Sequence, residues 1–367
     1  MAGLDTDDAP TREALEILLG ERVVEAVRLG PWSVMRCQLA DGPRSVIVKW
    51  RRTGSMRTDQ GRIAVEHAAL AFLTEVGFAK APRLLASDLK AGLLVLEDLA
   101  PRRALDLQLR EAGVDGAWEG LVAFVHTAGE LAAHTAGRAP AFEALRVRDS
   151  VLPSPQTPSA VHASLATLRR LGALGLTAGI KVEADLAAAF ASMVEPGPFL
   201  AFSNGDCEAN NVLTNGSDGW LIDFEDAQFR HALADAAAIH VPGPAWLTVA
   251  GAAERARLEA VYRRALATGV KAAEDDAAFG LGMAAACLTR ACERLTRFER
   301  LETRPLDDAS RVQMVSTLEA AAGVADSHRR LPHLAGWTRA AAAWLRRRWP
   351  DADVDLGALG AYAPRAP

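Results

Sequence analysis

At 367 residues, half of them hydrophobic, the chain can bury the core of two lobes or of one large domain. Its 41 Lys and Arg against 46 Asp and Glu leave a formal charge of −5, which argues against a general polyanion-binding surface and so against nucleic acid as a partner. The four cysteines (Cys37, Cys207, Cys287, Cys292) lack metal-ligand spacing, the acidic N-terminus lacks a signal peptide's apolar core, and no apolar run is long enough to span a bilayer, so a cytoplasmic protein with free thiols and no membrane contact is expected.

Residues up to about Thr11 read as a lead-in. Arg12 to Leu19 has helical spacing and stops at Gly20. Arg22 to Leu29 and Val34 to Leu39 alternate as strands around a Gly30-Pro31-Trp32-Ser33 turn. Asp41-Gly42 signals a second hairpin, and Ser45 to Trp50 is a third strand that carries Lys49 behind a Val/Ile run. A helix from about Gly61 to Val76 has its apolar side at Ile63, Val65, Ala69, Leu70 and Leu73; it also carries Glu66, and His67 reads as a surface residue. Arg83-Leu84-Leu85 and Leu93 to Leu96 complete a five-stranded sheet across a Lys90-Ala91-Gly92 turn, and Glu97-Asp98-Leu99 follows. The chain contains no G-x-x-x-x-G-K-[ST], which disfavours a P-loop enzyme.

From about Leu107 the pattern is helical. Trp118 to Thr135 is a long helix with a core face of Leu121, Phe124, Val125, Ala128, Leu131 and Ala132, and His126 and His134 read as packing or surface residues. Arg138 to about Pro158 reads as an irregular loop of the kind that often carries ligand contacts. Two helices, Ala160 to Leu174 and Val182 to Met193, precede the stretch that carries the chemistry.

That stretch is Ser203-Asn204-Gly205-Asp206-Cys207-Glu208-Ala209-Asn210-Asn211, then Val212-Leu213, a turn over Asn215 to Gly219, and Trp220-Leu221-Ile222-Asp223-Phe224-Glu225. The split apolar runs predict a hairpin that brings Asp206, Asn211 and Asp223 to one end of a sheet. Two carboxylates and a carboxamide offer hard oxygens of the kind Mg²⁺ shares with phosphates, and a carboxylate left off the metal can accept a hydroxyl proton.

The order D-x4-N, hairpin, I-D-F-E resembles the catalytic and metal loops of the aminoglycoside phosphotransferase and choline kinase family, the small-molecule branch of the protein-kinase-like fold. Gly205-Asp206, Asn211 and Ile222-Asp223-Phe224-Glu225 match; Asn204 stands where that family has a loop-organising His. The resemblance implies an α+β, two-lobed protein-kinase-like fold, with a small antiparallel-sheet N-lobe over residues 1–98 and a larger, mainly helical C-lobe over residues 99–367. It implies transfer of the γ-phosphoryl group of ATP to a hydroxyl of an unidentified small molecule, with ATP and Mg²⁺ as cofactors. Asp206 would be the base, and Asn211 and Asp223 the metal ligands. Lys49, steadied by Glu66, would hold the non-transferred phosphates. Gly30 and Ser33 would belong to the covering turn, and the Glu97, Asp98 and Leu99 backbone would face the adenine. Asp235 resembles the family's structural Asp, and the use of Asp226 is open. The alternative is a catalytically silent nucleotide-binding protein, with Asn204 as the first sign of decay; a further one is a helical interaction protein in which the Asp/Asn cluster is structural.

The remainder predicts helices over about Ala253 to Thr268, Asp275 to Leu301, Asp308 to Ala325 and Trp337 to Trp349. Arg290, Arg294, Arg297, Arg300 and Arg304 repeat at three and four, which places them on one helix face. They read either as a basic wall for an anionic acceptor or as a solvated face with Glu293 supporting Arg297, and the solvated face is preferred.

Overall fold

A computed structural model describes residues 9–30, 32–41, 44–51, 59–149, 158–306 and 308–365. Pro31 of the first turn, Gly42 of the second, residues 150–157 of the expected loop and the first eight residues of the lead-in lie outside them.

Helix α1 (Arg12–Leu19) begins at Thr11, whose hydroxyl accepts from the Ala14 amide, and ends at Gly20, whose left-handed φ of +69° lets its N–H reach the Glu16 carbonyl. Strands β1 (Val23–Arg28), β2 (Val34–Leu39) and β3 (Ser45–Trp50) follow, then α2 (Asp59–Val76), β4 (Leu84–Asp88) and β5 (Leu93–Glu97). They form one antiparallel sheet in the order β1-β2-β3-β5-β4. The strand period of two sorts its side chains. Val46, Val48 and Trp50 turn to a core with Leu15, Met35, Cys37, Leu39 and Val95. Leu94 and Leu96, alternating with Leu93 and Val95, turn to the other core with α2. Lys49, between Val48 and Trp50 and opposite Val34 and Leu94, therefore leaves the sheet on the α2 side.

The face of α2 is wider than its periodicity suggests. Phe72 is buried in a cluster with Phe142, Phe202 and Phe229, at ring-centroid distances of 5.5, 5.0 and 5.8 Å, which ties α2 to the helical part of the chain. His67 is not a free surface residue: it is half-buried, and its Nδ1 lies 2.6 Å from Asp149 Oδ2.

The mainly helical remainder runs β6 (Arg103–Ala104), α3 (Leu105–Gly116), α4 (Trp118–Thr135), α5 (Ala139–Arg148), α6 (Pro158–Ala173) and α7 (Ile180–Val194). Strands β7 (Leu200–Ser203), β8 (Val212–Asn215), β9 (Asp218–Leu221) and β10 (Gln228–His231) come next, followed by the short α8 (Leu233–Ala236). Helices α9 (Ala252–Ala267), α10 (Asp276–Leu295), α11 (Phe298–Glu302), α12 (Ser310–His328) and α13 (Pro332–Arg348) complete it. Two expectations need correction. The stretch expected to be an irregular loop contains α5, because Phe142 and Leu145 are buried apolar anchors one turn apart. The expected helix from Asp275 to Leu301 is two helices. Thr296 ends α10, its hydroxyl turning back to the Glu293 carbonyl at 2.6 Å, and the chain bends so that Phe298 stacks on Trp349. No helix among the described residues is long and apolar enough to cross a membrane.

Candidate active site

Strand β7 delivers the chain to Ser203, whose hydroxyl donates to Asp235 Oδ1 at 2.8 Å and accepts from the Gly205 amide at 2.9 Å. Arg230 closes on the same Asp235 oxygen from β10. Asp235 thus anchors the loop from beneath. Gly205 is obligatory here: its φ is +87°, and a Cβ would lie 2.0 Å from the Asp226 carbonyl oxygen. Past that turn Asp206 is exposed. Asn211 faces it, donating through Nδ2 to the Asp206 carbonyl at 2.8 Å and to Asp206 Oδ2 at 3.1 Å.

The hairpin fixes the third residue. Asn215 pairs with Asp218 across a two-residue Gly216-Ser217 loop, with Gly216 at φ +58° as a tight hairpin turn requires. β6 extends this pair to three strands. Thr127 of α4 holds the Gly219 carbonyl at 3.1 Å, and Arg102 bonds Asp218 at 2.9 Å while stacking on Trp220. The Ile222 amide then bonds the Asn211 carbonyl at 3.0 Å, and Asp223 leaves the strand in a left-handed conformation, φ +63°. Asn204 links the two halves: its buried Nδ2 donates to the Ile222 carbonyl at 3.2 Å.

Lys49 spans from the sheet to this loop. Its Nζ lies 2.6 Å from Glu66 Oε2 and 2.6 Å from Asp223 Oδ1, a residue 174 positions away. Glu66 is almost wholly buried, and its other oxygen accepts from the Phe224 amide at 3.3 Å. Burial alone would push Lys49 down, but the two carboxylates outweigh it and hold the ammonium above its ordinary pKa. Burial also pushes Glu225 up, to about 7, and the Asp223 carboxylate pushes the same way against Lys49 and Arg62. Partial desolvation, and then the carboxylates of Glu208 and Asp223, raise Asp206; Arg290, Asp206's bond from Asn211, or both together do not cancel that rise.

This surplus of negative charge around hard oxygens fits a divalent cation. Among the described residues no group of three or more His, Cys, Asp or Glu is arranged to hold a metal ion. The Asn211 carboxamide oxygen accepts from Asn210 Nδ2 at 2.8 Å, and Asp223 Oδ1 accepts from Lys49 at 2.6 Å.

The other expected residues sit around this centre. Gly30, at φ +70°, and Ser33 form the β1–β2 turn, and the Ser33 carbonyl accepts from the Trp50 amide at 3.1 Å, beside Lys49. Glu97 pairs with Arg83 at 3.1 Å. The Asp98 carboxylate is taken by Arg36 at 2.6 Å, Ser45 at 2.6 Å and the Ala100 amide at 3.1 Å, so its side chain clamps the sheet to the connection. Leu99 is buried. Asp226 is bound by Arg62 at 3.1 Å, and Arg62 also pairs with Glu225.

Two features escaped the sequence. Arg290 pairs with the buried Glu208 of the Asp206 loop, 82 positions earlier, a partnership no local spacing signals. The arginine repeat is broken where α10 ends, and Arg290 and Arg294 are half-buried, so the preferred solvated-face reading fails for these two.

The fold and the site together define a phosphotransferase. The sequence model of the phosphotransferase enzyme family matches residues 25–274, and the chain belongs to that family. It is an enzyme that moves a phosphoryl group to an alcohol group of a small molecule. A search of curated protein sequences finds no match. Among solved structures, a choline kinase from Streptococcus pneumoniae is similar at a TM-score of 0.50 and 14% identity, over 85% of this chain and 97% of that one. A choline/ethanolamine kinase family protein from Mesorhizobium loti gives 0.48 and 15%, over 86% and 92%. An ethanolamine kinase from Plasmodium vivax gives 0.49 and 10%, over 83% of each chain. At 14% identity the likeness to the first of these is one of fold.

Proposed function

We propose that the chain is an ATP-dependent kinase of a small-molecule alcohol, with Asp206 as proton acceptor, Asn211 and Asp223 as ligands of Mg²⁺, and Lys49 and Glu66 as the clamp on the non-transferred phosphates. The observation that carries this reading is the convergence of Asp206, Asn211, Asp223 and Lys49 into one hydrogen-bonded group. The lobes divide at residues 98 and 99, with the Gly30–Ser33 turn over the phosphates and the Glu97–Leu99 backbone against the adenine. The four buried, unpaired cysteines suit a reducing compartment such as the cytoplasm.

In the reaction the acceptor oxygen bonds to the γ-phosphorus, the bond from that phosphorus to the β-bridging oxygen breaks, and the hydroxyl proton passes to Asp206. The raised pKa of Asp206 makes it a stronger base than an ordinary carboxylate. Asn211 keeps Asp206 aimed, and Asp235 and Ser203 hold the loop beneath it. Lys49 presents a fixed positive charge from the sheet. Mg²⁺, when bound, neutralises phosphate charge. Most of the rate in such a transfer comes from positioning and charge neutralisation, which asks for rigid placement of these side chains.

Asn204 weighs against the silent-protein reading. Its amide links the catalytic loop to the Asp223 strand, a positional task that needs no titrating ring. The test is Asp206→Asn. It should keep the thermal shift produced by Mg²⁺ and ATP while ADP release with a turned-over acceptor falls about 10²- to 10⁴-fold. Turnover within a few-fold of wild type would remove Asp206 as the base.

A further inference from the structure

Beside the loop that carries Asp206 the protein concentrates positive charge that its carboxylates neutralise only in part. Arg290 leaves α10 toward the loop and pairs with Glu208, two residues past Asp206, and its charge acts on Asp206 as well. One turn further, Arg294 donates to the Pro242 carbonyl at 2.5 Å and to Thr317 Oγ1 at 2.9 Å. Arg297, just past the end of α10, and Arg365, near the C-terminus, add charges that act on Arg294. Arg365 is placed by the Gln313 amide oxygen at 3.1 Å and by its own backbone bond to Ala245 at 2.9 Å.

The carboxylates nearby do not balance this. Glu208 pairs with Arg290 and its charge also acts on Arg294, and Asp308 pairs with Arg304 at 3.2 Å while Arg365 acts on it too, so two carboxylates face five guanidinium groups. Glu293 lies on the exposed side of α10, and the charges that act on it are those of Arg290 and Arg230. Among the described residues Arg294, Arg297 and Arg365 make no ion pair. Burial, and then Arg290, pull the Arg294 guanidinium down to about 9, far below the usual arginine range. Its bonds to Pro242 and Thr317 fix its position but cancel none of its charge. A half-buried guanidinium group with spare charge is a costly arrangement for stability alone, and its planar fork matches carboxylate and phosphate oxygens.

We propose that the alcohol acceptor carries an anionic group, a carboxylate or a phosphate, received by the wall of Arg290, Arg294, Arg297 and Arg365 beside the catalytic loop. The inference rests on reading the cleft as a phosphotransferase site. The wall orients the acceptor by its charged end, leaving the hydroxyl to Asp206, and it repels purely cationic acceptors.

The experiment is a thermal-shift titration of the full chain, in which Mg²⁺ and the non-hydrolysable analogue AMP-PNP first fill the nucleotide side. Inorganic phosphate or acetate at about 10 mM is then compared with sodium chloride of equal ionic strength, in wild type, Arg294→Gln and Arg297→Gln. Arg297 is exposed and makes no ion pair among the described residues, so its variant stays informative where loss of the Pro242 anchor unfolds Arg294→Gln. The expected result is a rise of about 1–3 °C over chloride in wild type, cut by half or more in the variants. A rise with phosphate alone assigns a phosphorylated acceptor, and one with acetate assigns a carboxylate. No rise over chloride, or a rise that persists in both variants, overturns the proposal. A missing AMP-PNP shift with the anion response intact counts against the nucleotide reading only; a normal AMP-PNP shift without an anion response counts against the acceptor class only.

Discussion

Replacing Lys49 by Met tests the centre of the site through stability as well as activity. The substitution removes two 2.6 Å bonds and leaves Glu66, 1% exposed, with the Phe224 amide at 3.3 Å as its remaining donor. A buried charge stripped of its partner costs about 3–5 kcal/mol. Glu66→Gln is milder, because Lys49 keeps Asp223 and Phe224 keeps an acceptor; it should cost about 1–2 kcal/mol. The double variant buries no unpaired charge. Its cost should fall short of the sum of the two single costs by about 2–3 kcal/mol, as expected for groups in contact. Urea unfolding followed by tryptophan fluorescence reads these differences, with the denaturant slope compared across the four proteins. The same samples titrated with Mg²⁺ and ATP should show weaker binding in Lys49→Met than in Glu66→Gln. A Lys49→Met cost below about 1 kcal/mol, or a double variant that equals the sum of the singles, would refute the buried ion-pair argument.

Three further outcomes follow from the same geometry. Asp223→Ala should abolish the Mg²⁺ dependence of the ATP thermal shift, and a shift that still grows with Mg²⁺ would remove Asp223 from the metal site. Gly205→Ala should destabilise the catalytic loop by several kcal/mol, since both its φ of +87° and the Asp226 carbonyl oxygen oppose a Cβ; a native melting temperature would contradict the placement of the turn. His231 is buried against Phe199, and burial lowers its pKa to about 4. The native chain therefore refuses a proton that the unfolded chain accepts from about pH 6.5 downward. This contribution is complete above 6.5 and is lost as pH falls toward 4, about 2 kcal/mol of it by pH 5. A proton NMR resonance assigned to His231 that titrates near 6.5 would sink this expectation.

Local patterns were legible where a single element settles its own fate. The bounds of α1, β2, β3 and α4 follow from apolar period and from Gly or turn punctuation, and the β8–β9 hairpin follows from its Gly216 turn. The triad of Asp206, Asn211 and Asp223 was legible because that hairpin returns the chain beside the loop it left. What local pattern does not carry is the choice of partner for a charged side chain. Arg290 and Arg294 do share one face of α10, as spacing three and four demands, but spacing says nothing of Glu208 or Pro242 waiting opposite. The same limit hid His67 against Asp149, and the clamp of Arg36 and Ser45 on Asp98.

Asn204 shows how far a motif can depart from its family while the geometry holds. A ring at this position is dispensable if its task is to tie the loop to the strand that ends at Asp223. The amide does this through one donor, at 3.2 Å from the Ile222 carbonyl, within a site sealed by Ser203, Gly205 and Asp235. Its Oδ1 is buried and finds no hydrogen-bond partner among the described residues, an arrangement that costs about 1–3 kcal/mol where no water reaches it. The task this leaves to Asn204 is the link from the Asp206 loop to the strand that ends at Asp223. Asn204→Leu makes the argument testable: it removes the unsatisfied oxygen together with the link, so a loss of turnover without loss of stability separates positioning from packing.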